Sequence, residues 1–244
     1  MHFTAETRLD EGVLERDFLL GEIPGILWTP PEAPLSPVPL MLLGHPGGLT
    51  RLRSRLSGRA LRSTAQGFAA VTIELPGSGA RPVSASAEQA RADLRSAISA
   101  GSKPSEDVID RLILPLVEQA VPEWQAALDA IQALPGLSGP VGISGGVIAI
   151  GTRLALVEPR IAAAGLFAGS YVPRTTIEEA RRVTIPVHVL LQWDDVENDR
   201  QRALELFDAF GSREKTLQAN MGGHTGVPPF AGEDAARFFA RHLT

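Results

Sequence analysis

Leu137-Ser138-Gly139-Pro140-Val141-Gly142-Ile143-Ser144-Gly145-Gly146-Val147-Ile148-Ala149-Ile150 is the stretch on which the reading of this chain turns. Residues 137–141 combine turn residues with a β-branched residue and read as a short strand. From Val147 onward the chain is apolar and compatible with a helix. Between them lies Gly142-Ile143-Ser144-Gly145-Gly146, a G-x-S-x-G pattern where a strand should turn sharply into a helix. A serine hydroxyl is a weak nucleophile until it is held clear of the backbone beside a base. A tight strand-to-helix turn at Ser144 holds that residue in strained φ/ψ and exposes its Oγ. It also leaves the N–H of Gly145 in the first turn of the helix, aimed where an oxyanion forms. The expectation is a catalytic Ser144 with Gly145 as one oxyanion donor.

The flanking sequence sets this turn in an α/β frame. Residues 13–29 read as an antiparallel hairpin punctuated by Gly21 and Pro24-Gly25. A connection rich in proline follows (Pro30, Pro31, Pro34, Pro37 and Pro39). Leu40-Met41-Leu42-Leu43 is a continuous apolar run, as in a strand buried on both faces. Further strands read over 69–75, 161–167, 186–191 and 214–219. Helices read over 52–66, most of 85–134, 148–157, 175–182, 200–210 and 230–242. Pro115 and Pro122 are expected to bend or interrupt the long helical segment. Strand and helix alternate from residue 40 onward, which implies a mostly parallel sheet with helices on both faces. One domain over residues 1–244 is expected. Only 168–184 is free to form a lid after the strand that follows the turn, so no large lid domain is expected, and the helical segment 84–135 is the better candidate for shaping a pocket.

Ligands in such sheets bind at the carboxyl ends of the strands, so partners for Ser144 are sought there. Of five histidines, His2 is terminal, His242 lies in the last helix, and His188 sits inside a buried strand as a satisfied core residue. His45 ends the first parallel strand and reads as structural. His224, in Met221-Gly222-Gly223-His224-Thr225-Gly226, is the candidate base. Gln192-Trp193-Asp194-Asp195 follows a buried strand and offers the orienting acid; Asp195 is preferred, Asp194 is the alternative, and Glu197 and Asp199 are more distant choices. The aspartate not used is expected to cap the loop. The second oxyanion donor is expected from His45-Pro46-Gly47-Gly48. Pro46 has no N–H, so Gly47 is preferred, with Gly48 behind it. Trp193, Met221 and Tyr171 flank these positions and are candidate substrate contacts.

Composition removes other classes. The 244 residues carry a net charge of -5, which argues against nucleic acid as a partner. The one basic cluster (Arg51, Arg53, Arg55, Arg59 and Arg62) reads as an exposed helix face. The absence of cysteine excludes disulfides, a thiolate nucleophile and thiolate metal sites. No leader-like N-terminus and no membrane-length apolar run are visible, so no membrane partner and a cytoplasmic location are expected. The glycine-rich loops lack dinucleotide-binding spacing and a P-loop lysine.

The order His45-Pro46-Gly47-Gly48, Gly142-Ile143-Ser144-Gly145-Gly146, Asp195, Gly223-His224 resembles that of the α/β-hydrolases, and within them the compact serine esterases similar to dienelactone hydrolase. The likeness spans the chain from the proline-rich connection to the last helix. Where that family has D-x-x-V-P, Asp195 is followed by Asn198-Asp199. The resemblance implies an α/β-hydrolase fold and hydrolysis of small to medium carboxylic esters through an acyl-enzyme on Ser144, with no cofactor and no metal. The implied partner is a small ester, and the implied assembly a monomer or homodimer. The founding members use a cysteine nucleophile, so their lactone substrate is not implied. A ligand-binding protein on the same fold, without turnover, is the alternative, as are lactone, thioester, amide or C–C hydrolysis.

Overall fold

Leu40, Met41, Leu42 and Leu43 are each at most 2% exposed, and they alternate between two hydrophobic layers. Leu40 and Leu42 face one layer and Met41 and Leu43 the other, as the two-residue period of a strand requires. The computed structural model describes residues 1–31 and 37–244. Pro34 lies outside the described residues. Strands β1 (His2–Arg8), β2 (Leu14–Leu20) and β3 (Ile23–Thr29) precede the alternating part of the chain. Then come β4 (Leu40–Gly44), α1 (Leu49–Thr64), β5 (Ala69–Ile73), α2 (Ala85–Ser99) and α3 (Glu106–Gln132). The chain continues through β6 (Val141–Gly145), α4 (Ile148–Val157), β7 (Ile161–Phe167) and α5 (Arg174–Ala180). It closes with β8 (Val187–Gln192), α6 (Arg200–Ala209), β9 (Lys215–Asn220) and α7 (Pro229–Leu243).

The strands form one sheet in the order β1-β2-β3-β5-β4-β6-β7-β8-β9. From β5 to β9 neighbours are parallel; β1, β2 and β3 add antiparallel to one another and to β5. The chain steps from β4 to β5 on one side and then returns to β6 on the other. The crevice beyond β4 and β6 is therefore the topological switch point. Helices α1 and α7 cover one face, and α3, α4, α5 and α6 the other. No helix among the described residues is long and apolar enough to cross a membrane.

Three features differ from the sequence reading. Strand β1 extends the expected hairpin to three strands; its seven side chains are all exposed, so no apolar alternation marked it. Helix α3 runs through Pro115 and Pro122 for 27 residues without interruption. Each interior proline costs roughly 3 kcal/mol of helix propensity. Nine buried side chains, Trp124 among them, hold the helix against the sheet and offset that cost. The third difference bears on function. The strand expected at 137–141 begins at Val141, because Pro140 cannot donate to the ladder, and parallel pairing starts at Leu40↔Val141. It continues through Leu43↔Ser144 to Gly44↔Gly145, so the serine motif is itself strand.

Candidate active site

Two rims at the carboxyl ends of the strands carry the residues singled out above. At the first, β8 and β9 end together, Gln192 opposite Asn220, and the Trp193 N–H donates to the Asn220 carbonyl at 2.6 Å. Just beyond, the buried Asp195 places Oδ2 2.8 Å from His224 Nδ1, while its Oδ1 accepts the Glu197 N–H at 3.0 Å. A carboxylate only accepts, so the imidazole proton sits on Nδ1 and Nε2 is left as an acceptor. Among the described residues Nε2 has no hydrogen-bond partner. Asp194 accepts the N–H groups of Gly222 and Gly223, both at 2.9 Å. The Gly223 bond, with that of Gly222, holds its carboxyl below the usual range. Gln192 Nε2 donates to the Gly223 carbonyl at 2.9 Å, so the histidine loop is tied on both sides. Phe167, at the end of β7, meets the His224 ring edge-on with centroids 5.8 Å apart.

The second rim, beyond β4 and β6, corrects the expectation for Ser144. Ser144 lies inside β6, and the positive φ angles come after it, at Gly145 (69°) and Gly146 (84°). The turn is therefore Gly145-Gly146-Val147, and none of these residues carries a hydroxyl. Gly146 is required there because a Cβ would lie 2.8 Å from Gly44 Cα. Gly142 faces Phe239 and Leu243 of α7, so Ser144, two residues on, faces the same α1/α7 layer. There Arg59 of α1 donates through Nη2 to the Ser144 carbonyl at 2.6 Å and to its Oγ at 3.3 Å, and through Nη1 to the Gly44 carbonyl at 2.7 Å. No hydrogen bond among the described residues joins Ser144 to His224. Arg59 has no carboxylate partner among the described residues; burial, with repulsion from Arg55 and Arg62, lowers its pKa to about 10. The basic cluster is thus not wholly an exposed face, since Arg53 also pairs with the buried Glu15 at 2.6 Å.

The expected oxyanion donors are corrected too. Gly145 is the last residue of β6, not part of the first turn of α4. The Gly47 N–H donates to Nδ1 of its own neighbour His45 at 2.9 Å, and His45 Nε2 donates to the Ile73 carbonyl at 2.8 Å. Burial holds the His45 pKa down, in keeping with this neutral tautomer. The Gly48 and Leu49 N–H groups both donate to Glu74, each at 2.8 Å. The donors beyond β4 are consumed within the loop, two of them by the buried carboxylate of Glu74. Burial raises the Glu74 pKa, but hydrogen bonds from Ser78 and from the Leu49 and Gly48 N–H groups outweigh it and leave the carboxyl below its ordinary value.

Tyr171 lines a cleft of about 300 Å³ between the start of α3, the loop after β7 and the loop after β8. Trp193 and Met221 do not line it; both are exposed, and Arg200 stacks over the Trp193 ring at 4.4 Å. His188 is buried as expected, but its Nε2 is without a partner among the described residues. Sequence reasoning missed Glu74, Arg59 and Ser170. Glu74 left a signal, a lone carboxylate closing an apolar strand just before Pro76-Gly77-Ser78-Gly79. Ser170 follows a strand end in the same way, whereas Arg59 was hidden among surface arginines.

No family model and no curated protein matches the chain. Solved structures do. A cold-adapted esterase from an Arctic intertidal metagenomic library superposes with a TM-score of 0.77 at 27% identity, covering 100% of both chains. An acetyl xylan esterase from Paenibacillus sp. R4 follows with a TM-score of 0.66 at 14% identity, over 99% of this chain and 88% of that one. A predicted CIB-like hydrolase from Thermoplasma acidophilum has a TM-score of 0.63 at 12% identity, over 97% of this chain and 100% of that one. These last two likenesses concern the fold. The sheet order, the helices on both faces and the full-length likeness to an esterase show that this chain has an α/β-hydrolase fold.

Proposed function

We propose that the protein hydrolyses small, uncharged carboxylic esters, with His224 as general base and Asp195 as the acid that orients it. One observation carries this reading: the 2.8 Å contact between His224 Nδ1 and the buried Asp195, at the rim of a sheet whose full-length likeness is an esterase. Such a pair takes a proton from an attacking hydroxyl and returns it to the leaving alcohol. Neutrality of the substrate follows from the cleft beside Tyr171. Its cations Lys103, Arg174 and Arg202 are matched by the anions Glu106, Asp110 and Asp199. Lys103 pairs with Asp199 at 2.9 Å and Arg174 with Glu106 at 2.7 Å, so the lining carries no net charge to invite an ionic substrate. A volume near 300 Å³ suits a small molecule. Ser144, held by Arg59 within the strand, is given no role as nucleophile in this reading.

The test is a p-nitrophenyl ester series of rising chain length on the wild type and His224→Ala. Turnover that falls by about 10³-fold or more in the variant is expected. Equal turnover in the two proteins removes the base and the proposal with it. A second reading, a ligand-binding protein without turnover, draws on the hydroxyl-free turn at Gly145-Gly146-Val147. It gains support if the wild type binds esters and hydrolyses none.

A further inference from the structure

Strand β1 is the outer edge of the sheet, and all seven of its side chains are exposed. Which of its backbone groups face outward follows from its pairing with β2. The Leu9 N–H donates to the Val13 carbonyl at 2.8 Å, and the register runs on through Arg8↔Leu14, Thr7↔Glu15, Glu6↔Arg16 and Ala5↔Asp17. Successive residues of a strand point their N–H and C=O groups to opposite edges. Leu9, Thr7 and Ala5 therefore turn theirs toward β2, while Arg8 and Glu6 present theirs to solvent. Such an edge is a template for another strand.

The charges on β1 say which strand fits. It holds no proline and no lysine, the residues that commonly close an edge, and its register shift lies between Phe3 and Ala5, outside the stretch 5–9. Its charges in that stretch are of opposite sign at alternate positions, Glu6 and Arg8. Neither has an ion-pair partner among the described residues. A run of one sign would repel a copy of itself; this pattern does not. Two copies related by a two-fold axis pair antiparallel through the same residues, and backbone bonds form only where outward-pointing residues stand opposite one another. Centring the axis on Glu6 or on Arg8 sets like charges face to face, and centring on Ala5 runs into the register shift. Centring on Thr7 sets Glu6 of each copy opposite Arg8 of the other.

We propose that the protein pairs with a second copy of itself along β1, with Thr7 on the two-fold axis. Glu6 of each copy exchanges two backbone hydrogen bonds with Arg8 of the other, and the same pairing brings carboxylate and guanidinium together on one face. On the opposite face Thr7 meets Thr7 as a β-branched pair at the closer of the two cross-strand spacings. The two nine-stranded sheets become one continuous sheet. Strands β8 and β9 lie at the far edge, so the rim that carries His224 stays open in both copies. With so few residues paired, the dimer is weak and forms as concentration rises.

Sedimentation equilibrium on the full chain over a rising concentration series tests this, on the wild type, Glu6→Arg, Arg8→Glu and the double variant Glu6→Arg/Arg8→Glu. The wild-type mass is expected to climb from 26.0 kDa toward twice that value. Each single variant sets like charges opposite one another on both sides of the axis, and its association is expected to weaken about tenfold or more. The double variant exchanges the two signs and is expected to regain wild-type association. An equimolar mixture of the two single variants joins a strand with two cations to a strand with two anions, and is expected to dimerise where neither does alone. Amide hydrogen exchange on the wild type locates the interface without any variant: the Glu6 and Arg8 N–H groups are expected to slow as concentration rises. A mass that stays at 26.0 kDa throughout overturns the proposal and leaves the edge to a foreign strand. A dimer that forms equally well in the single variants, or that leaves exchange at Glu6 and Arg8 unchanged, lies on another surface and overturns it as well.

Discussion

The rim beyond β8 and β9 and the rim beyond β4 and β6 are built from the same kinds of residue: glycine loops, a histidine, a carboxylate. They spend their hydrogen bonds in opposite ways. Beyond β8 and β9, Asp194 and Gln192 hold the loop by its backbone, and His224 keeps one ring nitrogen bound and the other free. Beyond β4 and β6 both His45 nitrogens are bound, the Gly47, Gly48 and Leu49 N–H groups are bound, and Ser144 Oγ is bound. Catalysis needs groups that are positioned yet unsatisfied until substrate arrives. The first rim has that character. The second is a network in which those groups are already bonded to one another.

The sharpest test of the open rim separates its two adjacent carboxylates. Asp195→Asn keeps the shape but can present an amide N–H to His224 Nδ1, which favours the wrong tautomer. Ester kcat/KM is expected to fall by about 10³- to 10⁴-fold. Asp194→Asn retains the Oδ1 acceptor that takes both glycine N–H groups, and an effect within about tenfold is expected. Steady-state kinetics on the two variants decide it, and the opposite ranking removes Asp195 from the acid's place.

The open rim was legible in the sequence because its logic is local. A buried apolar run ends in two aspartates, a second strand ends in a glycine loop with a histidine, and alternation of strand and helix puts both ends on one edge of the sheet. The frame was legible for the same reason, since Leu40-Met41-Leu42-Leu43 and the run 187–191 can be little else than buried strands. The turn at Ser144 was misread because a pattern of five residues does not fix where a strand stops. Pairing that begins at Val141 instead of 137 carries the strand through Ser144 and hands the sharp turn to Gly145-Gly146. The partner strands β4 and β7 set that register, and their contribution is not local. Ser170 escaped notice because its contact with Ile148 is distant in sequence.

The closed rim makes its own prediction, of intermediate size and visible in stability. Glu74 is buried and receives three donors, from Gly48, Leu49 and Ser78. Its folded pKa lies below the ordinary 4.5. A depressed folded pKa stabilises the native state fully above the unfolded value, and the stabilisation fades as pH falls through the folded one. Glu74→Gln removes the charge and leaves one backbone N–H facing an amide instead of an oxygen. A loss of about 1–3 kcal/mol near neutral pH is expected from urea unfolding. The gap between wild type and variant is expected to narrow as pH drops below 4.5. A gap that stays constant down to pH 3, on the order of one unit below, rules out Glu74 as the source.

The smallest expected effect is the most telling for the comparison, because it concerns the residue the motif singled out. Ser144→Ala removes one hydroxyl from Arg59 Nη2, which keeps the Ser144 carbonyl at 2.6 Å, while Nη1 keeps the Gly44 carbonyl at 2.7 Å. Alanine fits an ordinary strand backbone, since Ser144 has no positive φ to preserve. The cost in stability is expected to stay within about 1 kcal/mol, the size of a single exchangeable hydrogen bond. Ester turnover is expected to stay within about threefold, as for a change remote from the reacting atoms. A nucleophile removed costs about 10³-fold or more by contrast, so the two outcomes lie far apart on the same assay. If Ser144→Ala loses activity on that scale while keeping its unfolding midpoint, the closed rim opens when substrate binds, and the distinction between the two rims belongs to the unliganded protein alone.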